Sequence, residues 1–305
     1  MIIRILFIVS ALNIFNIAQD IKVLETEKLP IENGYNPKFI LNDSKIVFSK
    51  SNYKGLYLFD SATKTTSTIS NEDGAGYNPL ISQSDKIIFR ETKFIKGKKF
   101  HDLNSFDIIS NTVEQIESNK RSLKLPSQKF TDDIILINEN EIETKKLSEN
   151  RAAKSSNLKK AVFINNGKII LVDNEVKKEL QPVGDGIYVW ASLSNDQTMI
   201  TFSFGNRGSF ISDLNGKILA NIPEAHFPKF SPNDKFISYM NDKDDGTKYI
   251  SSDIFVYSIE TEKSYQITDS ENIFEVNPEW SNDGQSLIYN TIDGDIYISK
   301  FQFEN

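Results

Sequence analysis

The sequence predicts an all-β fold, a single β-propeller of four-stranded antiparallel blades, and three observations predict it. First, a ten-residue segment recurs, with an apolar residue, an Asn/Asp turn and a strand ending in Phe or Tyr. Second, each copy is followed by further strands rich in β-branched and aromatic residues, which favour extended structure. Third, no helical periodicity is visible after residue 20. Four strands in every ~40–50 residues is typical of propeller blades, which bury their faces by stacking around an axis.

The repeated unit begins with the strand expected to line the propeller axis. The five copies of the ten-residue segment are 39–48, 80–89, 193–202, 230–239 and 280–289. Four of these copies follow a proline, namely Pro37, Pro79, Pro228 and Pro278. The third strand of each unit lies at 56–60, 105–109, 209–213, 254–258 and 296–300. The unit is therefore strand, Asn/Asp turn, strand, loop, strand, polar turn and strand.

The two ends of the chain predict how the ring closes. The last unit ends after its third strand, at 296–303, and an unmatched strand at 21–25 precedes the first unit. We expect this N-terminal strand to complete the last blade and close a single domain. The stretch 119–182 is degenerate and fits one long blade or two short ones. We therefore predict six blades, with seven as the alternative.

Residues 1–18 have the features of a secretory signal peptide. A short basic segment ends at Arg4, residues 5–12 are apolar apart from Ser10, and Ala18 precedes the expected cleavage site. The apolar run is shorter than the ~20 residues of a membrane-spanning helix, so cleavage is expected and an uncleaved anchor is the alternative. The predicted organisation is a signal peptide at 1–18 and a propeller domain at 19–305. An exported chain without cysteine fits a bacterial periplasm or exterior.

A sequence motif within the units resembles a known repeat. The pattern Pro-x-[Phe/Trp]-Ser-[Pro/Asn]-[Asn/Asp]-[Asp/Gly] occurs at 228–234 and 278–284. It resembles the TolB-like β-propeller repeat, and the resemblance covers nearly all of 21–305. The resemblance implies a stand-alone propeller, because the α/β domain that precedes the propeller in TolB itself has no counterpart here. Members of this family include envelope-interacting, peptidase-associated and polysaccharide-active proteins, so the repeat indicates fold more than function.

Composition excludes several classes of function. The net charge is 35 − 42 = −7, which argues against a general nucleic-acid binder. The absence of cysteine excludes disulfides, thiolate metal sites and cysteine nucleophiles. A metal-dependent lyase of the TolB-like type would use several axial histidines, whereas this chain has only His101 and His226. No Gly-x-Ser-x-Gly elbow is present. We therefore predict no catalytic residue and no cofactor.

One position near the start of the inner strands carries ring side chains. Two residues before each inner-strand proline, or its equivalent, stand Tyr35, Tyr77, Tyr188, His226 and Val276, with Trp190 close by. Because the inner strand lines the central channel, this position is expected at the channel mouth. An aromatic rim there could stack sugars or grip a peptide. The alternative is packing between blades.

A concentrated basic segment lies between the second and third strands of its unit. It carries Lys93, Lys96, Lys98 and Lys99, and we expect a protruding hairpin that could bind an anionic partner, glycan or lipid head group. The alternative is a solvated hairpin tip with edge-protecting lysines.

An acidic segment occupies the same place in a later unit. Asp242 and Asp244, with Asp253 further on, hint at a calcium loop. Gly246 and Thr247 mismatch that loop, because a ligand is expected at the first position and the turn glycine at the second. The alternative is an acidic solvated loop, and we predict no firm metal site.

The export signal and the lack of a catalytic set predict a non-enzymatic protein-interaction module of the cell envelope. Its expected partner is an envelope or exported protein, it binds no nucleic acid, and it does not span the membrane after cleavage. The alternative, motivated by the aromatic rim, is a carbohydrate-binding or polysaccharide-active propeller whose partner is a glycan.

Overall fold

The computed structural model describes residues 20–82, 86–128, 133–138, 141–147, 160–174 and 176–304. The predicted signal peptide lies outside these ranges, so export stays a prediction. Within them, no helix is long and apolar enough to cross a lipid bilayer. The helical content described is two single 3-10 turns, at Ser51–Tyr53 and Gly205–Arg207.

The rest of the regular structure consists of strands. In chain order they are β1 (Asp20–Lys28), β2 (Tyr35–Ile40), β3 (Lys45–Lys50), β4 (Lys54–Asp60), β5 (Thr65–Ser70), β6 (Leu80–Ile81), β7 (Lys86–Ile95), β8 (Lys98–Asp107), β9 (Thr112–Lys120), β10 (Ser127–Gln128), β11 (Asp133–Asn138), β12 (Glu141–Lys146), β13 (Lys160–Asn165), β14 (Lys168–Asp173), β15 (Val176–Leu180), β16 (Tyr188–Leu193), β17 (Met199–Phe204), β18 (Ser209–Asp213), β19 (Ile218–Ile222), β20 (His226–Phe230), β21 (Phe236–Asp244), β22 (Tyr249–Ser258), β23 (Ser264–Gln266), β24 (Glu275–Trp280), β25 (Ser286–Thr291) and β26 (Ile296–Glu304).

Six four-stranded antiparallel sheets form the six blades of a β-propeller, as the sequence predicts. Blade 1 contains β2–β5, blade 2 contains β6–β9, and blade 3 contains β10 with β13–β15. Blade 4 contains β16–β19, blade 5 contains β20–β23, and blade 6 contains β24–β26 with β1. The first strand of each blade in this order, apart from the closing β1, is the inner strand.

The N-terminal strand closes the ring, which confirms the prediction from the chain ends. β1 pairs antiparallel with β26 from Asp20 opposite Glu304 to Lys28 opposite Tyr297, with a bulge between Val23 and Glu25. The first and last segments of the domain therefore share one sheet. The last blade consequently has four strands like the others, and the β1–β26 hydrogen bonds join the two ends of the domain.

The degenerate stretch forms blade 3 and a separate two-stranded hairpin, β11–β12. Gln128 joins the two elements, because its side-chain amide exchanges hydrogen bonds of 2.8 Å with both the N–H and the C=O of Ile135. Leu136 of the hairpin packs towards blade 2, and Ile135 packs towards blade 3. The hairpin therefore fills the wedge between blades 2 and 3.

The apolar core of the described residues lies in the wedges between neighbouring sheets. Between blades 6 and 1, Phe48 and Phe59 pack against Ile288 and Ile296. The other wedges are filled in the same way by alternate residues of the strands. Full burial of one such side chain contributes roughly 1.5–3 kcal/mol, so stacking of the blades is the main source of stability.

The serine of the repeat organises the turn that follows the inner strand in blades 4, 5 and 6. The Oγ atoms of Ser194, Ser231 and Ser281 accept backbone N–H bonds of 2.9–3.0 Å from the residue five positions later. Each hydroxyl also donates to the Asn or Asp two positions later. The motif is therefore a turn device that sets the register of the first two strands.

An aspartate in the same turn links neighbouring blades. Asp234 of blade 5 accepts backbone N–H bonds of 2.7 and 2.8 Å from Asn195 and Asp196 of blade 4. At the equivalent place, Asp43 of blade 1 accepts two bonds of 2.9 and 3.0 Å from the N–H of Asn282 in blade 6. The second contact bridges the two ends of the ring and supplements the β1–β26 closure.

Candidate functional site

A cavity of about 2120 Å³ follows the inner strands along the axis of the propeller. We call the end at which the inner strands begin the channel mouth. Inner-strand residues from Asn36 to Ile40 and from Val189 to Leu193 contribute to its wall. This volume exceeds that of most small-molecule sites, which measure roughly 300–1,000 Å³, so the channel has room for a chain-like ligand.

Four of the six inner strands, those of blades 1, 4, 5 and 6, have an irregularity at the mouth. The ladder shifts register between Tyr35 and Lys38 in blade 1, and the same shift recurs in blades 4, 5 and 6. The first residue of each bulge adopts the left-handed conformation, with φ near 50–60°, and so does Asn78 before the inner-strand proline of blade 2; these five residues are Asn36, Asn78, Trp190, Phe227 and Asn277. A bulge redirects the side chain, and all five of these side chains line the cavity.

Two of these bulged residues are aromatic. Trp190 has φ 53° and Phe227 has φ 54°. Asparagine tolerates this conformation, whereas a bulky side chain is a rare outlier there and costs of order 1–3 kcal/mol. Backbone strain of this kind is held by the surrounding blades and is typical of binding or catalytic positions.

The exposed aromatic side chains of the described residues gather at this cavity. Four aromatic residues are at least 40% exposed: Tyr53 (40%), Tyr77 (48%), Phe94 (67%) and Trp190 (42%). All four line the cavity, whereas exposed aliphatic residues such as Val176 and Leu219 do not. The clustering is therefore specific to ring side chains and to this surface.

Trp190 lies in an aromatic group formed by blades 4 and 5. Its ring centroid is 6.0 Å from that of Phe227, in an edge-on arrangement, and 6.0 Å from that of His226. The Lys229 ammonium lies 4.7 Å from the centre of the Phe227 ring. A second aromatic group, on blades 1 and 2, pairs Tyr53 edge-on with Tyr77 at 5.0 Å.

The cavity wall is rich in cations, although the whole protein is acidic. Its Lys and Arg residues are Lys38, Lys54, Arg90, Lys99, Lys124 and Lys229. Its acidic residues are Asp73 and Glu279. This charge excess on a chain of net charge −7 favours an anionic ligand in the channel.

Three charged side chains from neighbouring blades meet inside the channel. The Lys229 Nζ atom lies 3.0 Å from Glu279 Oε1, and Lys38 donates to the carbonyl of Pro79 at 3.4 Å. Burial opposes ionisation of Glu279, but Lys229 and Lys38 together hold its pKa below the usual value. Burial lowers the pKa of Lys38, although the negative charge of Glu279 acts to raise it.

The structure brings together only part of the predicted aromatic rim. Trp190 and His226 are neighbours, and Tyr77 lines the cavity. Tyr188 does not belong to the rim: it is 0% exposed, packs 4.6 Å from Phe204, and bonds through its OH to Gly184 and Val183. This side chain points into the wedge because the strand alternates before the bulge.

The remaining predicted rim residues lie beside the cavity rather than in its wall. The hydroxyl of Tyr35 donates to the carbonyl of Ile292 at 3.5 Å, towards blade 6. His226 bonds through Nδ1 to Asp242 Oδ1 at 2.6 Å, and this carboxylate, against the effect of burial, raises the pKa of His226. The pair positions the imidazole next to Trp190.

The predicted basic hairpin is formed by β7 and β8, with its turn at Lys96. Lys99 lines the cavity together with Phe94. Lys93 is paired with Asp102 of the same hairpin at 2.5 Å, and Lys96 and Lys98 are exposed at the tip. Of the four predicted lysines of the hairpin, only Lys99 therefore lines the cavity.

The candidate calcium residues are engaged in other contacts. Asp242 bonds to His226, Asp244 accepts the N–H of Gly246 at 2.7 Å, and Asp253 lies near Ser270 with an N–H contact of 3.4 Å. In the part of the chain that the structure describes, no group of three His, Asp or Glu side chains is arranged to hold a metal ion.

The sequence prediction missed the bulged residues themselves. Asn36, Asn78, Phe227 and Asn277 each directly precede the inner-strand proline, one position after the predicted rim. The signal was the repeated Asn-Pro dipeptide, since asparagine favours the left-handed conformation.

Comparison with known proteins gives structural likeness only. No family model and no curated protein matches the chain, so membership of the TolB-like family is not confirmed. Among solved structures, an oligogalacturonate lyase in complex with manganese has a TM-score of 0.49 at 11% identity, covering 88% of this chain and 76% of the other. An oligogalacturonate lyase from Vibrio parahaemolyticus has a TM-score of 0.48 at 11% identity, covering 87% and 76%.

These comparisons correct one prediction. The expected non-enzymatic protein-interaction module is contradicted, because both matched structures are named as lyases, which are enzymes. At 11% identity these structures show likeness of fold alone, so they give no support to the alternative, a carbohydrate-binding or polysaccharide-active propeller. Its support in this chain has to come from the chain's own side chains.

Proposed function

We propose that this protein binds carbohydrate, with sugar rings stacking on aromatic side chains at the channel mouth. The observation that carries the proposal is the gathering of Tyr53, Tyr77, Phe94 and Trp190 at one cavity. Exposed aromatic rings offer flat apolar faces to the C–H faces of a sugar, and they hold that shape at low entropic cost.

The asparagine side chains before the inner-strand prolines supply polar groups between these rings. Asn36 donates through Nδ2 to Ser49, Asn78 to the carbonyl of Leu125, and Asn277 to Asn290, at 3.2–3.3 Å. Within the described contacts, their Oδ1 atoms are not used as acceptors. Three acceptors that share a left-handed backbone conformation at the mouth suit the hydroxyl donors of a sugar.

The strained backbone at Trp190 and Phe227 supports the same function. Packing alone would be served by asparagine, which occupies the equivalent place in blades 1, 2 and 6. Retaining two rings at a cost of order 1–3 kcal/mol each favours a role in binding.

The test uses a substitution that should leave the fold intact. Trp190→Asn places at this bulge the residue that other blades already have, so stability should be unchanged or slightly raised. Leu219→Asn, at a comparably exposed site on the outer strand β19, is the matched control.

The measurement is binding of the wild-type protein and both variants to an array of neutral and acidic oligosaccharides. The proposal expects wild-type and Leu219→Asn to bind the same glycans. It expects Trp190→Asn to lose about tenfold or more in affinity, since aromatic anchors dominate such sites. Absence of wild-type binding to every glycan, or equal binding by Trp190→Asn, would overturn the proposal.

A further inference from the structure

Arg90 of β7 lies in the cavity wall without a counter-charge. Its Nη1 donates to the carbonyl of Leu123 at 2.7 Å, and its guanidinium lies 4.9 Å from the centre of the Tyr77 ring. Its Nε is buried and makes no hydrogen bond to the described residues. Among those residues, no carboxylate is within ion-pair distance of this guanidinium.

Two lysines belong to the same side of the cavity. Lys99 on β8 and Lys124, before β10, line it together with Arg90. Lys124 donates to Asn165 Oδ1 at 3.4 Å, so it too is held by a neutral partner. Blade 2 and the adjoining start of blade 3 therefore present three cations to the channel.

His101 is close enough to these cations for their charges to affect its pKa. Burial is the main cause that lowers the pKa of His101 to about 4, and the charges of Arg90 and Lys99 add to this effect. His101 itself is buried behind the wall, with its Nδ1 3.1 Å from Thr92 Oγ1. His101 therefore lies within range of the Arg90 and Lys99 charges.

We infer that the carbohydrate ligand is acidic, and that Arg90, assisted by Lys99 and Lys124, binds a carboxylate substituent of it at the channel mouth. A guanidinium presents planar donors that match a carboxylate, and the contact with the Tyr77 ring holds this guanidinium at the cavity wall. The aromatic group of Trp190 and Phe227 belongs to blades 4 and 5, away from blade 2. The ligand is therefore an oligosaccharide that spans the mouth rather than a single sugar.

This inference rests on the proposed function, and its test separates the two. Isothermal titration compares a uronate tetrasaccharide with the same tetrasaccharide methyl-esterified at its carboxyl groups. The variants are Arg90→Met, which keeps an unbranched apolar side chain but removes the guanidinium, and Arg207→Met as control. Arg207 is likewise stacked on aromatic rings, Phe204 and Phe210, but lies outside the cavity wall.

We expect the wild-type protein and Arg207→Met to bind the acid about tenfold or more tightly than the ester. In Arg90→Met this ratio should fall to about threefold or less, with ester affinity unchanged. Binding of the uronate tetrasaccharide should also raise the pKa of His101, because the negative charge of the ligand offsets the positive charge of Arg90. An NMR titration measures this pKa. Equal binding of acid and ester by wild-type would overturn the inference but leave carbohydrate binding in place. Binding of neither, with no other glycan bound, would overturn the proposed function.

Discussion

Replacing the buried Glu275 by glutamine should stabilise the protein at alkaline pH. Glu275 is 3% exposed, and its Oε2 atom has no hydrogen-bond partner among the described residues. Burial raises the pKa of Glu275 from 4.5 to about 7, with a contribution from the Asp253 charge, against a Ser270 hydrogen bond. Between these two values the unfolded chain loses a proton that the folded protein keeps, so stability falls as pH rises.

The size of the effect follows from that shift. About 2.5 pKa units at ~1.36 kcal/mol per unit give about 3 kcal/mol of lost stability above pH 7. Glu275→Gln removes the charge, so its free energy of unfolding should exceed that of wild-type by up to this amount at pH 8. At pH 4.5 the two proteins should be nearly equal. The assay is urea unfolding across this pH range, with the exposed Glu271→Gln as control. A pH-independent difference between Glu275→Gln and wild-type would refute the reasoning.

Three further perturbations probe other contacts. Asp234→Ala should lower the free energy of unfolding by about 2 kcal/mol, because the N–H groups of Asn195 and Asp196 lose their acceptor; a change below ~0.5 kcal/mol in urea unfolding would contradict this. Tyr188→Phe should cost about 1–2 kcal/mol and leave glycan affinity unchanged, whereas an affinity loss would return this residue to the rim. In NMR titrations His226 should have a pKa above 6.5, and this pKa should fall in Asp242→Asn. The stability that the pair contributes should be present at low pH and lost as pH rises through that pKa. An unchanged His226 pKa in Asp242→Asn would show that the pair does not form.

The repeat predicted the blades well because the residues that determine each blade lie within that repeat. The Ser and Asx residues of the turn fix the first two strands locally, and the unmatched strands at the chain ends leave one way to complete blade 6. The β11–β12 hairpin was not predictable in this way, because it lacks the turn motif and is defined by what it packs against.

The candidate site was predicted less completely, for two physical reasons. Its place in the repeat, before the equivalent of the inner-strand proline, put Tyr188 at the predicted rim, but in the structure the bulges place Trp190 and Phe227 at the channel instead. Arg90 and Lys124 lie 34 positions apart in sequence and line the same side of the cavity only because blades 2 and 3 are neighbours. Sequence spacing alone does not carry that information.

The most direct test of carbohydrate binding at the channel mouth is a crystal structure with a uronate tetrasaccharide. The account predicts a sugar ring on the indole of Trp190 and a carboxylate within hydrogen-bond distance of Arg90. Sugar density confined to the outer strands of the blades, with the channel mouth unliganded at saturating concentration, would contradict it.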